Sequence, residues 1–369
     1  MEEDRKTIRV ENKLGIMPVG KLLVVMSVPT MFSMLIQALY NIVDSIFVSH
    51  YSEKALTAVS LAFPMQMLMF SFAIGTSVGV CSVISRRLGE GRLEEAQKAA
   101  QTGYTIELML MVVFMLIGAF LSKPFIRLYT EDAELITMTS TYLRICLMIS
   151  IGSFVNVFCE KALQSTGDTI HPMIIQASGA IFNVIFDPIL IFGYLGFPAL
   201  GVAGAAYATV AGQIFAMFMG IVFLKRNRHL NVRLLRPRLY KDSAKDIIKV
   251  GLPAVIMQGI GTIMTSLMNA ILITFDVLAT TVFGVYFKLQ SFVFMPIFGM
   301  NSGLMPILGY NYGAKNKPRM MRALKLGVVF AFIFMSLGTL IFNLFPDALL
   351  GLFNASDSLK SLGEVALRL

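Results

Sequence analysis

Long apolar runs dominate the chain, at 22–48, 55–84, 99–121, 134–158, 170–193, 200–224, 247–273, 279–305 and 322–345. Each exceeds the roughly 18 residues that a helix needs to cross the hydrocarbon core of a bilayer. Polar and Gly/Pro-containing stretches separate them: Gly89-Glu90-Gly91, Gly167-Asp168, Gly193 to Gly201, and Asn311 to Pro318. A tenth run begins near Asn354 and is unfinished at Leu369. The pattern predicts an all-α polytopic membrane protein, because a helix satisfies its backbone polar groups internally within an apolar span.

The runs repeat. A shift of 224 positions carries Pro29 onto Pro253, Ala55 onto Ala279, Thr57 onto Thr281, Gly75 onto Gly299, Gly79 onto Gly303, Gly89 onto Gly313, Ala99 onto Ala323, Gly103 onto Gly327 and Arg144 onto Arg368. One ungapped offset that matches mostly Gly, Pro and small residues marks an internal duplication. Six spans separate the copies, an even number, so two parallel six-helix repeats are expected, related by an axis along the membrane normal. The expected organisation is an N-lobe of six transmembrane helices over 1–224, a basic cytosolic linker over 225–246, and an incomplete C-lobe over 247–369 with three full helices and the start of a fourth. A complete second repeat needs roughly 80 further residues. The chain is therefore expected to be a C-terminally truncated form of a twelve-helix protein, without the last two helices.

Composition narrows the class. The chain is 56% hydrophobic and 14% charged, with mean hydropathy +0.73, which excludes a soluble globular domain. The charged segment Met1 to Lys21 lacks the apolar core of a signal peptide, so the N-terminus is expected in the cytosol of a multi-pass plasma-membrane protein. The net charge of +9 would suit nucleic acid, but the base lies in alternate loops. Arg86, Arg87, Arg92, Lys98, Lys161, the 225–249 stretch and Lys315 to Lys325 fall on the side of the N-terminus, with Lys54, Lys123 and Arg127 opposite. That asymmetry is explained by topology, and no nucleic-acid partner is expected. Cys81, Cys146 and Cys159 lie in or beside spans without metal spacing and read as buried small hydrophobes. His50, His171 and His229 lie at span ends and read as interfacial. No Walker loop, HExxH or nucleophile elbow occurs, so an enzyme is not expected and no cofactor is implied.

The chemistry lies in charges inside the spans, where a carboxylate costs on the order of 2.5 to 3.5 kcal/mol on insertion scales. Asp44 lies in the first span and Asp187 in the fifth. Both spans run outward, which places both acids in the outer part of the bilayer at similar depth. Asn183 is one turn inward of Asp187 on the same helix face, and Pro188 removes a backbone N–H beside them. Tyr40 and Asn41 share the neighbourhood of Asp44. Two carboxylates with amide, hydroxyl and freed carbonyl oxygens describe a site for H⁺ or a hard cation such as Na⁺. Glu107, Arg144 and Lys288 are also intramembrane, where ion pairing or snorkelling explains them as well as transport does; Asp276 is close to a short outer loop and solvated. Spans seven and eight carry Gln258, Asn269, Gln290 and Asn301 but no carboxylate between Val250 and Thr274, so the ionic machinery concentrates in the first repeat. Pro29 and Pro253, at matching points of the two copies, are candidate hinges.

The paired openings Val28-Pro29 and Leu252-Pro253, with Arg87-Leu88-Gly89-Glu90-Gly91 and Gly309-Tyr310-Asn311-Tyr312-Gly313-Ala314, resemble the MATE (multidrug and toxic compound extrusion) family over the whole chain, most closely its MepA/DinF-like bacterial branch. The resemblance implies a cation site built from an Asp in the first helix, matched by Asp44, and an Asn-x-x-x-Asp in the fifth, matched by Asn183 and Asp187. It aligns Thr209 with a sixth-helix hydroxyl ligand. The other branch of the family uses a carboxylate in helix seven, which this sequence lacks. The expected function is H⁺- or Na⁺-coupled antiport of amphipathic, often cationic drugs or toxic metabolites by a monomer in the lipid bilayer, from a Met/Phe-lined cavity between the lobes. The alternatives are a lipid-linked precursor flippase, which needs a cationic cavity that only Arg144 and Lys288 could supply, and a truncated remnant that does not transport.

Overall fold

The computed structural model describes residues 12–227, 229–230, 232–233, 236–272, 277–351 and 357–368. Asp276, Asn354, the first eleven residues and the side chains of Asn269 and Lys288 lie outside the described part. The described chain is a succession of helices: α1 (Lys13–Ile16), α2 (Val19–Tyr51), α3 (Glu53–Gly89), α4 (Leu93–Phe120), α5 (Ser122–Ile126), α6 (Ala133–Met148), α7 (Ile151–Ser165), α8 (Ile170–Phe192), α9 (Val202–Arg226), α10 (Lys241–Leu272), α11 (Val277–Gly313), α12 (Lys317–Leu344), α13 (Pro346–Gly351) and α14 (Asp357–Arg368).

Seven of the described helices are long and apolar enough to cross a membrane, and the pair α6 and α7, bent by 47° at its break, supplies an eighth span if taken as one. The fourth apolar run is therefore a broken helix and not a straight one. The break is at Ile149, which leaves helical geometry at φ −107°, ψ 33°. The seventh run falls on α10, which has the length to cross. In place of the expected tenth span stands α14, a short amphipathic helix with Leu367 buried. Its bounds lie 224 positions after Ala133 and Arg144, within the α6 copy of the repeat. Caps fix the helix starts: Ala55 N donates to Ser52 Oγ at 3.0 Å, and Glu134 N and Leu135 N donate to Asp132 Oδ1 at 2.9 and 3.2 Å. Those backbone donors hold the Asp132 carboxyl below the usual carboxylate range.

The halves before and after the 227–240 connection meet along two seams, α3 with α10 and α2 with α11, joined where α3 packs on α11. Close glycine contacts occur in the first halves of α2 and α10 and the second halves of α3 and α11. Gly75 packs on Val255 and Gly299 on Met31, with no room at either for a Cβ. Gly89 packs on Tyr310 and Gly313 on Arg86 in the same way. Each contact maps onto its mate under the 224-position shift, so the seams form one self-complementary interface. The base of the sequence gathers at this end, here called the basic end. Toward the opposite end α10 turns Met257, Ile260, Ile263, Met264 and Leu267 outward as exposed side chains.

Polar links reinforce the closure. Arg86 Nη2 and Arg87 Nη2 both reach Asp246 Oδ2 at 2.8 Å across the α3–α10 seam. The Thr30 hydroxyl donates to the Gly299 carbonyl at 2.6 Å across the other seam. On that side α1 is tied to both halves: Asn12 Nδ2 donates to the Thr166 carbonyl at 3.0 Å, and Asn311 and Arg319 donate to the Leu14 carbonyl. The connection is bound as well. Gln101 of α4 donates to the carbonyls of Arg233 and Arg236 at 3.1 and 3.2 Å and accepts from Arg233 N at 2.7 Å. Thr105 Oγ1 donates to the Arg238 carbonyl at 3.0 Å.

Candidate cation site

Close approach of α8 and α9 builds the base of the site. A Cβ on Gly212 would lie 2.8 Å from the Gly179 carbonyl oxygen, so only glycine lets the two backbones come this near. The approach brings Asn183 to Thr209. Asn183 Nδ2 donates to Thr209 Oγ1 at 3.4 Å and to Asp187 Oδ1, one turn along α8, at 3.3 Å. Asn183 is 2% exposed and Asp187 fully buried. From α2 the Asp44 carboxyl comes into hydrogen-bonding reach of Asp187, and the Tyr40 hydroxyl into reach of Thr209. The structure thus brings Tyr40, Asp44, Asn183, Asp187 and Thr209 together from three helices.

Asn41 is not among them. It is exposed, and its backbone carbonyl accepts from Ser45 Oγ at 2.8 Å. Tyr40 and Asn41 point about 100° apart around α2, so only one flank of Asp44 can face α8 and α9. Sequence reasoning missed further groups beside Asp44 and Tyr40. Tyr142 and Cys146 of α6 face the carboxyl, and Gln66 of α3 reaches both.

The cluster holds acceptors without donors. Asp44 Oδ1, Asp187 Oδ2 and Asn183 Oδ1 are enclosed and unpartnered. Two unit negative charges roughly 4 Å apart repel by about 4 kcal/mol at an effective dielectric near 20. A buried acceptor left unpaired costs a further ~1–3 kcal/mol. A proton shared by the acids, or a hard cation among these oxygens, relieves both penalties. The donor set of carboxylate, amide and hydroxyl oxygens fits Na⁺ as well as H⁺.

The other intramembrane candidates separate. Pro29 and Pro253 each lie inside an unbroken helix, beside the seam residues Thr30 and Val255. Glu107 is fully buried, accepts from Ser77 Oγ at 2.8 Å, and leaves Oε2 unpartnered. Arg144 is exposed on α6. Lys161 is not a loop residue, because α7 runs on to Ser165 and carries it into the interior. There it donates to Gln164 Oε1 at 3.0 Å and to Ser302 Oγ of α11 at 3.2 Å. All three cysteines are buried.

An apolar cavity of about 490 Å³ opens between α2 and α8, lined by Phe32, Ile36, Met173, Ile174, Ala177, Ser178 and Ile181. It belongs to the first half.

Comparison with known proteins places this geometry in context. The model of the family described as MatE matches residues 29–189 and 253–369. The chain is 26% identical to the FAD transporter of Shewanella oneidensis, over 91% of this chain and 75% of that protein. It is 24% identical to the multidrug export protein MepA of Staphylococcus aureus, over 95% of this chain and 77% of that protein. A solved structure described as the outward-facing conformation of a multidrug resistance MATE family transporter superposes with TM-score 0.89 at 27% identity, over 100% of this chain and 81% of the other.

Proposed function

Because the chain belongs to the MatE family of membrane transporters, we propose that it is a cation-coupled antiporter that exports amphipathic, often cationic organic compounds. The coupling ion, H⁺ or Na⁺, binds between Asp44 and Asp187. The observation that carries this reading is the set of enclosed oxygens with no donor, Asp44 Oδ1, Asp187 Oδ2 and Asn183 Oδ1, which ask for a positive charge. The positive-inside asymmetry assigns the basic end to the cytosol. The tight seams then close the cytosolic side, and the acid cluster takes its ion from outside. Binding draws α2 onto α8, because the ion neutralises repulsion between residues on those two helices. The apolar cavity lies along the same pair of helices, so a change in their spacing alters the room for an amphiphile. Coupling requires only that the ion's affinity differ between the two arrangements of the halves.

The test is efflux of a cationic dye from proteoliposomes with an imposed pH or Na⁺ gradient. Asp187→Asn, which keeps the shape and removes the charge, is expected to lower gradient-driven efflux at least tenfold with normal yield and size-exclusion behaviour. Undiminished efflux in that variant rejects the mechanism.

A further inference from the structure

The polar face of α7 has no part in the site described so far. Ser153, Asn156, Glu160 and Gln164 recur at i, i+3, i+7 and i+11 and form one stripe. In an otherwise apolar helix such a stripe faces other polar groups or an ion path. Its upper end meets α9. Gly152 packs against the backbone of Gln213, and Ser153 Oγ donates to Gln213 Oε1 at 2.6 Å. Gln213 lies one turn below Thr209, the hydroxyl that accepts from Asn183. Lower down, Asn156 Nδ2 donates to Glu160 Oε1 at 3.2 Å, and Lys161 spans to Ser302 across the seam. The polar groups therefore stand at successive turns between the acid pair and Lys161, in bonded pairs separated by one helical turn. At a rise of ~1.5 Å per residue the track descends about 6 Å along α9 and about 10 Å along α7.

A second observation points to what travels on it. Asn156 is 8% exposed, and its Oδ1 is enclosed without a donor although Nδ2 is bonded to Glu160. A carboxylate offers that oxygen nothing, but a carboxylic acid offers an O–H. The orphan is satisfied when Glu160 carries a proton. A metal ion does not suit the place, because the ammonium of Lys161 adjoins Glu160. The other groups facing this pair are the Cys159 thiol on α7, the Cys81 thiol on α3, the Tyr104 phenol of α4 beside Cys159, and the Ser302 hydroxyl on α11. Glu107 of α4 is bonded to Ser77.

We propose that Glu160, with Asn156, is an inner proton station that connects the Asp44/Asp187 pair to the basic end through the Gln213–Ser153 contact. The proton leaves the outer pair on water held by the Gln213 amide and the Ser153 hydroxyl. It converts the Glu160 carboxylate to the acid, whose O–H then bonds Asn156 Oδ1. When the basic end opens, Lys161 loses Ser302, the proton passes to bulk water, and the carboxylate left behind faces the Lys161 ammonium. The inference rests on the reading that the outer pair takes up the coupling ion, and it commits that ion to H⁺.

The experiment uses the full chain in proteoliposomes, with a luminal pH dye and a cationic substrate dye. Glu160→Gln is expected to lower efflux driven by a pH gradient at least tenfold and to flatten its pH profile. Glu160→Asp should restore most of the rate, and Gln213→Leu should lower it severalfold. Equilibrium dye binding to the purified variants should stay within twofold of the parent. Wild-type rate and pH profile in Glu160→Gln overturn the station. Loss of dye binding in step with transport overturns it as well, by showing a structural role. Efflux driven by Na⁺ at constant pH removes the proton and leaves the outer site standing. Full activity in Asp187→Asn removes the outer site itself.

Discussion

Asn183 and Asn41 show how finely residue position divides function from surface. Both are amides near an intramembrane acid, and sequence spacing recommended both. Asn183 is buried and bonded to Asp187 and Thr209, whereas Asn41 is exposed. A hydrogen bond to a charged group is worth about 1.5–3 kcal/mol. Asn183→Ala is therefore expected to weaken apparent ion affinity roughly 10- to 100-fold, read as the shift in half-saturating ion concentration for efflux. Asn41→Ala is expected to change it less than twofold. The acids themselves were legible because an isolated Asp in a bare apolar run needs a reason. Lys161 was misread because a cation near a span end resembles a loop residue until the course of α7 is known. Asn156 and Glu160 stood on a stripe that the sequence displays, but the bend between α6 and α7 hid which face it belonged to.

Among the elements, the paired long helices were legible from run length and the repeat from its offset. The bend was not, because no proline announces the break at Ile149. The glycines carry the clearest consequence at this scale. Gly75 and Gly299 sit where a Cβ would strike the facing backbone of Val255 or Met31. Overpacking of this kind costs about 1–3 kcal/mol, and here the cost falls on the closed seam alone. Gly299→Leu, on the α2–α11 seam, is expected to shift the population roughly 5- to 150-fold toward the arrangement open at the basic end. Faster alkylation of a cysteine placed at Thr30 would report the shift, and unchanged accessibility would show that this packing does not hold the closure.

For the whole molecule, the closure is symmetric in its glycines and asymmetric in its charges. One carboxylate, Asp246, receives two guanidiniums from the first half, and the shift by 224 positions puts Tyr310 and Asn311 where those arginines stand and Leu22 where Asp246 stands. Asp246→Asn leaves Arg86 and Arg87 without that counter-charge. The distance distribution between spin labels at positions 92 and 317 is expected to gain a long component, and an unaltered distribution would remove Asp246 from the closure.

The hold of α4 on the connection has a mechanical corollary. Gln101, Thr102 and Thr105 bond the backbone of Arg233, Arg236, Arg238 and Tyr240, the last of them next to the first residue of α10. The edge where α3 meets α10 then behaves as the spine of a book, and the pages can part only along the α2–α11 margin. At that margin the turn from Asn12 to Met17 sits like a clasp with one hook in each cover.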